Sequence, residues 1–303
     1  MLKQSVDAYL ALRRAVGFDL KTDGYLLQHF ARFASDHGDT HVQTETTLEW
    51  AAAAPSPQQR ERRLRVVALF ARHACAEDSR HEVPAIRVFG YHRKRRLPHV
   101  YSPDEIRRLL DAASRLGPPG SLRPHAFKTL FALLAATGLR ISEALALRLE
   151  DVATDGLVIR ETKFHKSRLV PLHPTATAAL ACYLDLRRRA DATSDHVFIS
   201  TKGDGFAYSS VKKTFLILVR KIGLRSGPGK TGPRIHDLRH TFAVRALETS
   251  PEGGSPVGRH MRALSTYLGH ANLADTYWYL QATPRLMRRV ADACEAFIEG
   301  GAQ

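Results

Sequence analysis

Two short patterns in the sequence place an arginine where its planar guanidinium group could bind a phosphate. In the first, Thr-Gly-Leu-Arg, Gly138 can end one helix, and Arg140 then follows in a tight turn before the next helix. In the second, His-Asp-Leu-Arg, His236 and Arg239 are three residues apart and so share one face of a helix. The ordinary alternative for Arg140 is a surface ion pair, for example with Glu143.

Metal binding is the rival interpretation of the second pattern. The pair His236 and Arg239 lacks the His-Glu-x-x-His spacing of a zinc site, and no cluster of acidic ligands lies near it in the sequence. A charged histidine and an arginine on one face repel each other unless an anion lies between them. We therefore expect an anion here, with no metal and no cofactor.

Cationic side chains also crowd the turn of a predicted β-hairpin, Leu-Val-Ile-Arg-Glu-Thr-Lys-Phe-His-Lys-Ser-Arg-Leu-Val-Pro-Leu. The cations at this turn are Lys163, His165, Lys166 and Arg168. A loop of this kind can bring a flexible lysine to a ligand. The alternative is a tip that is simply solvated.

A candidate nucleophile follows the sequence Leu-Gly-His, which ends at His270. Tyr277 and Tyr279 come within the next ten residues, separated by Trp278. On a helix, residues that are two positions apart point to roughly opposite sides, so only one of these tyrosines can serve a given site. A tyrosine is usually a core residue, and we assign that ordinary role to Tyr277.

Taken in order, these motifs resemble those of the tyrosine recombinase (phage integrase) family. The resemblance covers the whole chain in layout and residues 102–290 in motifs, and the complete ordered set is specific although each motif alone is weak. It implies that two arginines hold the scissile phosphate, that two histidines and a hairpin lysine act beside it, and that a tyrosine is the nucleophile. The matching residues are Arg140, Arg239, His236, His270, Lys163 and Tyr279.

The chemistry of such a site is consistent with these residue types. Cleavage of a phosphodiester develops negative charge on the phosphoryl oxygens, which fixed cations stabilise. A neutral tyrosine needs a base, for which His236 is the candidate, and Lys163 can protonate the departing 5′ oxygen. Because a 3′-phosphotyrosine conserves the energy of the broken bond, no ATP is required, and with enough fixed cations no metal is required either.

The sequence predicts a mainly α fold with a small β-sheet. Residues 1–88 show apolar positions at helical spacing and are expected to be helical, and the resemblance implies that they form a core-binding domain that contacts DNA. Residues 89–101, with four basic and no acidic side chains, are the predicted basic linker. An α-rich catalytic domain is expected over 102–303, beginning at the capping sequence Ser-Pro-Asp-Glu.

Several elements are predicted inside these domains. Pro55 and Pro57 precede a helix with a basic face, and Thr175 is the expected cap of a helix that runs to about Arg189. Three short strands are expected, over residues 157–160, 168–172 and 196–200. A C-terminal helix over 284–298 could pack on its own core or on a neighbouring protomer.

Composition fits a nucleic-acid partner. The 303 residues carry a formal charge of +15, and the excess of basic residues begins after Ala54. Apolar runs are too short for a membrane span, and no secretion signal is evident, so we expect a cytoplasmic protein. The cysteines, Cys75, Cys182 and Cys294, fit neither a disulfide framework nor a zinc site and are expected to be buried free thiols.

These features lead to the hypothesis of a site-specific recombinase that binds double-stranded DNA and acts as a homo-tetramer on two duplexes. A weak similarity around Trp278 favours a mobile element. One alternative is a type IB topoisomerase-like enzyme with the same chemistry. Another is a catalytically inactive DNA-binding protein, although all six matched positions hold chemically competent residues. The segment 249–258 is longer than the family usually shows, and a surface loop of this kind leaves the expected fold intact.

Overall fold

The computed structural model describes residues 1–90, 97–162, 166–190, 192, 194–227, 231–249, 257–269, 272, 274, 276, 288 and 295. The chain separates into two compact units, Met1–Arg96 and Leu97–Gln303. The mainly helical fold with a small sheet is confirmed. Within the described residues, no helix combines the length and apolar character that a membrane crossing requires.

Four helices form the first unit: α1 (Leu2–Ala15), α2 (Lys21–Asp36), α3 (Thr44–Ala52) and α4 (Pro57–Glu77). Their apolar faces meet in one core, in which Phe30, Trp50 and Phe70 are almost completely buried. The predicted helix is present but begins one residue earlier than expected, at Pro57 itself, because Ser56 caps it and Pro57 occupies its first turn.

The basic face of α4 is less uniform than the sequence predicted. Arg62, Arg65 and Arg72 are exposed, as expected. Arg63 is half-buried instead: its guanidinium group lies 4.8 Å from the centre of the Trp50 ring and donates to the Trp50 carbonyl. This arginine packs against the helical core because its aliphatic stem and planar head can cover an aromatic ring.

The described helices of the second unit surround a core that includes Phe131, Phe198 and Phe215. They are α5 (Pro103–Ser114), α6 (Arg123–Thr137), α7 (Ile141–Ala146), α8 (Pro174–Arg188), α9 (Tyr208–Lys221), α10 (His236–Glu248) and α11 (Val257–Leu268). The predicted capping box at the start of α5 is confirmed: Ser102 accepts from the Glu105 backbone N–H, and Glu105 returns the bond. Tyr101, just before it, is buried in this core.

A three-stranded antiparallel sheet lies beside these helices in the order β1 (Val152–Ala153), β2 (Gly156–Thr162) and β3 (Lys166–Val170). The predicted hairpin is formed by β2 and β3, which pair from Leu157 and Val170 at one end to Thr162 and Lys166 at the other. Its turn, residues 163–165, lies outside the described residues.

Three details of the predicted elements are wrong. Residues 196–200 do not form the third strand; they make only isolated bridges, His196 with Arg148 and Ile199 with Gly205, and β1 completes the sheet instead. Thr175 is not the cap of α8, because the cap is His173, two residues earlier, whose side chain accepts from the Thr175 N–H. Cys182 is exposed rather than buried, since it lies on the outer face of α8.

Two predicted features fall wholly or partly outside the described residues. The C-terminal helix over 284–298 lies there except for Arg288 and Glu295, and so does Cys294. Of the remaining predicted thiols, Cys75 is partly buried. No group of three or more potential metal ligands occurs among the described side chains.

Candidate active site

The Thr-Gly-Leu-Arg pattern forms a sharp turn between α6 and α7. Gly138 ends α6 in the left-handed region, with φ of 63°. A Cβ at this position would lie 2.5 Å from Cδ1 of Phe242 on α10 and 3.1 Å from a methyl of Leu268 on α11. Glycine is therefore required both by the backbone conformation and by the close approach of two other helices.

Arg239 lies in the interior beside this turn. Arg239 is only 2% exposed, although its side chain is charged. Nη1 donates to the Gly138 carbonyl and Nη2 to the Leu268 carbonyl, each at 2.7 Å. Helix α10 thus holds this guanidinium group at the junction of the α6–α7 turn and the carboxyl end of α11.

Arg140 approaches the same end of α11 from the other side. It precedes α7, and its Nη2 donates to the Gly269 carbonyl at 3.0 Å. Its Nη1 donates to Glu143 at 2.7 Å, so the ion pair considered as the ordinary alternative is also present. The side chain remains 31% exposed, so Arg140 keeps access to solvent or to a ligand.

A third arginine, which the sequence did not single out as a site residue, completes this cluster. Arg168 of β3 donates from Nε to the Tyr267 carbonyl at 2.9 Å. Its two Nη atoms bind the two carboxylate oxygens of Glu143 at 3.1 and 2.9 Å. Three guanidinium groups therefore bind three consecutive carbonyls, those of Tyr267, Leu268 and Gly269.

Glu143 is the carboxylate at the centre of this arrangement, with its side chain only 8% exposed. Burial alone would raise its pKa, but the hydrogen bonds from Arg168 and from the Arg140 backbone N–H outweigh burial and lower it. The group is therefore ionised at neutral pH. These contacts give Glu143 a structural role, since it binds both Arg140 and Arg168.

His236 begins α10 and is exposed, one helical turn from Arg239. The surrounding protein removes part of the hydration of the His236 ring, which lowers the pKa of His236 below its ordinary value. The positive charges of Arg239 and Arg140 lower it further. The lowered pKa favours the neutral ring, which can accept a proton. Asp237 beside it is buried and accepts from the backbone and side chain of Arg234.

The neighbouring His240 predicts a measurable dependence of stability on pH. Burial, followed by the nearby His236, lowers the pKa of His240 to about 4. Between that value and the unfolded pKa of about 6.5, the unfolded chain binds the proton more readily, so stability must fall as the pH is lowered. From pH 7 to pH 5 this group should remove about 2 kcal/mol from the free energy of unfolding.

Urea unfolding of the wild type and of a His240→Leu variant at both pH values measures this contribution. The variant lacks the titrating group, so its free energy of unfolding should change less over the interval, whatever its absolute stability. An equal change in the two proteins would show that His240 titrates alike in the folded and unfolded states.

Comparison with known proteins assigns this arrangement to a family. The sequence pattern of the phage integrase family matches residues 99–285. The chain belongs to the tyrosine recombinases of this family. It is similar to a Sinorhizobium fredii protein named as an integrase/recombinase, with 40% identity over 296 residues that cover 94% of each chain.

Solved structures share the fold of this tyrosine recombinase. The Tn1549 transposon integrase in complex with transposon right end DNA has a TM-score of 0.65 at 17% identity, covering 95% of this chain and 99% of its own. A lambda integrase tetramer bound to a Holliday junction has a TM-score of 0.63 at 16% identity, covering 92% and 76%.

Three of the six predicted site residues, Arg140, His236 and Arg239, are among the described residues, and the structure brings them together. Arg140 and Arg239 bind adjacent carbonyls, and both of their charges act on His236. The other three, Lys163, His270 and Tyr279, lie outside the described residues. Arg168 was missed, although one signal was available: strand alternation places it on the same face as Val170, which is fully buried.

Proposed function

We propose that this recombinase cleaves one DNA strand with Tyr279, holds the broken end as a 3′-phosphotyrosine and joins it to another strand at a specific site. The observation that supports this most directly is the convergence of Arg140 and Arg239 on the carbonyls of Gly269 and Leu268. Two arginines from distant parts of the sequence are thereby fixed before any ligand arrives. Such preorganised charge is what a phosphoryl-transfer site requires.

Charge at the cluster suits a phosphate. In the hydrogen bonds described above, Arg140 and Arg168 share the carboxylate of Glu143, and each of the three arginines also donates to a peptide carbonyl. Neutral carbonyls orient an arginine without cancelling its charge. The site therefore retains a positive potential toward an incoming phosphodiester, whose charge increases on the way to the transition state.

The proposed reaction proceeds in two balanced steps. In the first, the Tyr279 oxygen attacks the phosphorus and the bond to the 5′ oxygen breaks. His236, whose lowered pKa favours the neutral ring, accepts the phenolic proton, and Lys163 protonates the departing 5′ oxygen. In the second, a 5′-hydroxyl of another strand gives its proton to Lys163 and attacks the phosphorus, the bond to the Tyr279 oxygen breaks, and His236 returns a proton to that oxygen. His270 is assigned a hydrogen bond to a phosphoryl oxygen throughout.

We assign DNA binding to both parts of the chain, with residues 1–88 as the core-binding domain and residues 102–303 as the catalytic domain. The proposed assembly is a homo-tetramer on two duplexes. A lambda integrase tetramer with the same fold supports that assembly. The similarity to the Sinorhizobium fredii protein and the fold of a transposon integrase favour integration, excision or transposition of a mobile element.

Trapping of the covalent intermediate tests this function. The protein is incubated with duplex fragments from the DNA that flanks its own gene, each carrying a nick near the candidate cleavage position, and is then denatured in SDS. We expect an SDS-resistant adduct on a preferred sequence. Relaxation of supercoiled plasmid without sequence preference would instead indicate a topoisomerase, and binding without an adduct on any fragment would indicate an inactive DNA-binding protein.

A further inference from the structure

Arg168 differs from Arg140 in its exposure and in the way its donors are used. Its side chain is 13% exposed, against 31% for Arg140. All three of its nitrogen atoms are engaged, Nε by the Tyr267 carbonyl and the two Nη atoms by Glu143. With its donor atoms directed to these protein groups, this side chain is placed to hold other groups rather than the substrate.

The Arg168 guanidinium group packs tightly against the backbone at Gly269. Gly269 adopts φ of 67°, and a Cβ there would lie 2.6 Å from Nη1 and 2.9 Å from Cζ of Arg168. The turn that follows α11 therefore has room for this arginine only because it has no side chain at Gly269. Arg168 in this way connects β3 directly to the turn whose carbonyl binds Arg140.

The charge relations point in the same direction. Glu143 lies 2.7 Å from Arg140, and an unopposed carboxylate at that distance would weaken the attraction of Arg140 for a phosphate. Arg168 binds both oxygens of the same carboxylate in a bidentate pair. Glu143 can thus orient Arg140 through one oxygen while its negative charge is offset by Arg168.

From these contacts we infer that Arg168 is a positioning residue of the strand-cleavage reaction, which fixes Glu143 and the Tyr267 carbonyl and leaves Arg140 charged toward the scissile phosphate. The inference rests on the proposed function. It concerns a residue that touches neither the substrate nor the reacting atoms in this scheme. Its effect is transmitted through Glu143, Arg140 and the turn at Gly269.

An Arg168→Met variant is the direct test, with Arg187→Met as its matched control. Arg187 of α8 is likewise buried and donates to two carbonyls, those of His196 and Ser194, but belongs to a different part of the unit. Both variants should lose thermal stability. Only Arg168→Met should lower the cleavage rate constant at saturating DNA, by about 10²-fold, with the DNA dissociation constant changed by less than roughly twofold.

A second substitution separates positioning from a general loss of structure. In the double variant Arg168→Met with Glu143→Gln, the uncompensated carboxylate is gone, so part of the cleavage rate should return relative to Arg168→Met alone. If Arg168→Met does not fold, Arg168→Lys replaces it, since an ammonium group keeps the charge but cannot form the bidentate pair. A wild-type rate in the single variant, or a double variant slower than the single one, would overturn the inference.

Failure of the proposed function can be recognised separately, because the wild type would then form no adduct. In that event hydrogen exchange without DNA still tests the inference. Amides of residues 266–269 should exchange faster in Arg168→Met than in Arg187→Met. Equal exchange in the two variants would show that Arg168 does not hold the turn.

Discussion

Replacement of Tyr279 by phenylalanine is expected to abolish the covalent protein–DNA adduct while DNA binding is retained. Phenylalanine keeps the ring but lacks the oxygen that must attack phosphorus, so no later step can substitute for it. The adduct should fall below detection in an SDS gel of trapped reactions. Binding measured by mobility shift should stay near that of the wild type, because the six matched positions include five other side chains that are unchanged.

Tyr277→Phe is the matched control for this substitution. Tyr277 and Tyr279 flank Trp278, and the family resemblance matches Tyr279 to the nucleophile. The control variant should form the adduct at a rate close to that of the wild type. An adduct that persists in Tyr279→Phe and disappears in Tyr277→Phe would show that the nucleophile is the other tyrosine.

Local patterns explain which parts of the site could be predicted from the sequence. The turn at Gly138, the capping box of Ser102 and Glu105, and the helical face shared by His236 and Arg239 each depend on residues within four positions of one another. Backbone conformation and capping are decided over that range. The family resemblance then added the order of the motifs, which no single pattern contains.

Arg168 could not be recognised in the same way, because its role depends on three segments that meet only in the folded chain. A residue on a strand is expected to face the core when it is apolar, yet here Leu169 is 49% exposed and Arg168 faces inward. The reason lies in its partners. Glu143 and the Tyr267 carbonyl supply a complete hydrogen-bonding set for a buried guanidinium group, and neither is near β3 in the sequence.

The third predicted strand failed for a related reason. Val197, Phe198 and Ile199 have the apolar, β-branched and aromatic character of a strand, and all are buried. They pack into the core of the second unit without a continuous neighbouring strand, since His196 and Ile199 each form one bridge only. Side-chain burial can be anticipated from such a run, whereas strand pairing requires a partner that the run itself does not specify.

The carboxyl end of α11 explains how arginines can be fixed in this site without losing their charge. The last carbonyls of a helix have no partner within the helix and carry the negative end of its dipole. Here those of Tyr267 and Leu268, with Gly269 beyond them, accept from three guanidinium groups. Any change in the backbone path at the end of α11 would therefore shift the guanidinium groups of Arg140 and Arg239 together.

Arg239→Lys is expected to lower the cleavage rate constant by about 10²–10³-fold at saturating DNA. The Arg239 guanidinium group binds both the Gly138 and the Leu268 carbonyl. It can do so because its two Nη atoms diverge in a fixed plane. A lysine has a single ammonium group, which cannot reach both carbonyls and also donate to a phosphoryl oxygen in a fixed direction. Single-turnover cleavage of a nicked duplex gives the rate constant.

Arg187→Lys serves as the control, because that arginine is equally buried and also donates to two carbonyls, those of His196 and Ser194. Both variants should unfold at lower temperature than the wild type, yet only Arg239→Lys should lose the rate. A rate constant for Arg239→Lys within about tenfold of the wild type would mean that charge alone is sufficient at this position. The hypothesis that a preorganised guanidinium group at Arg239 drives catalysis would then have to be abandoned. The contacts of Arg239 with the two carbonyls would contribute only to the stability of the fold.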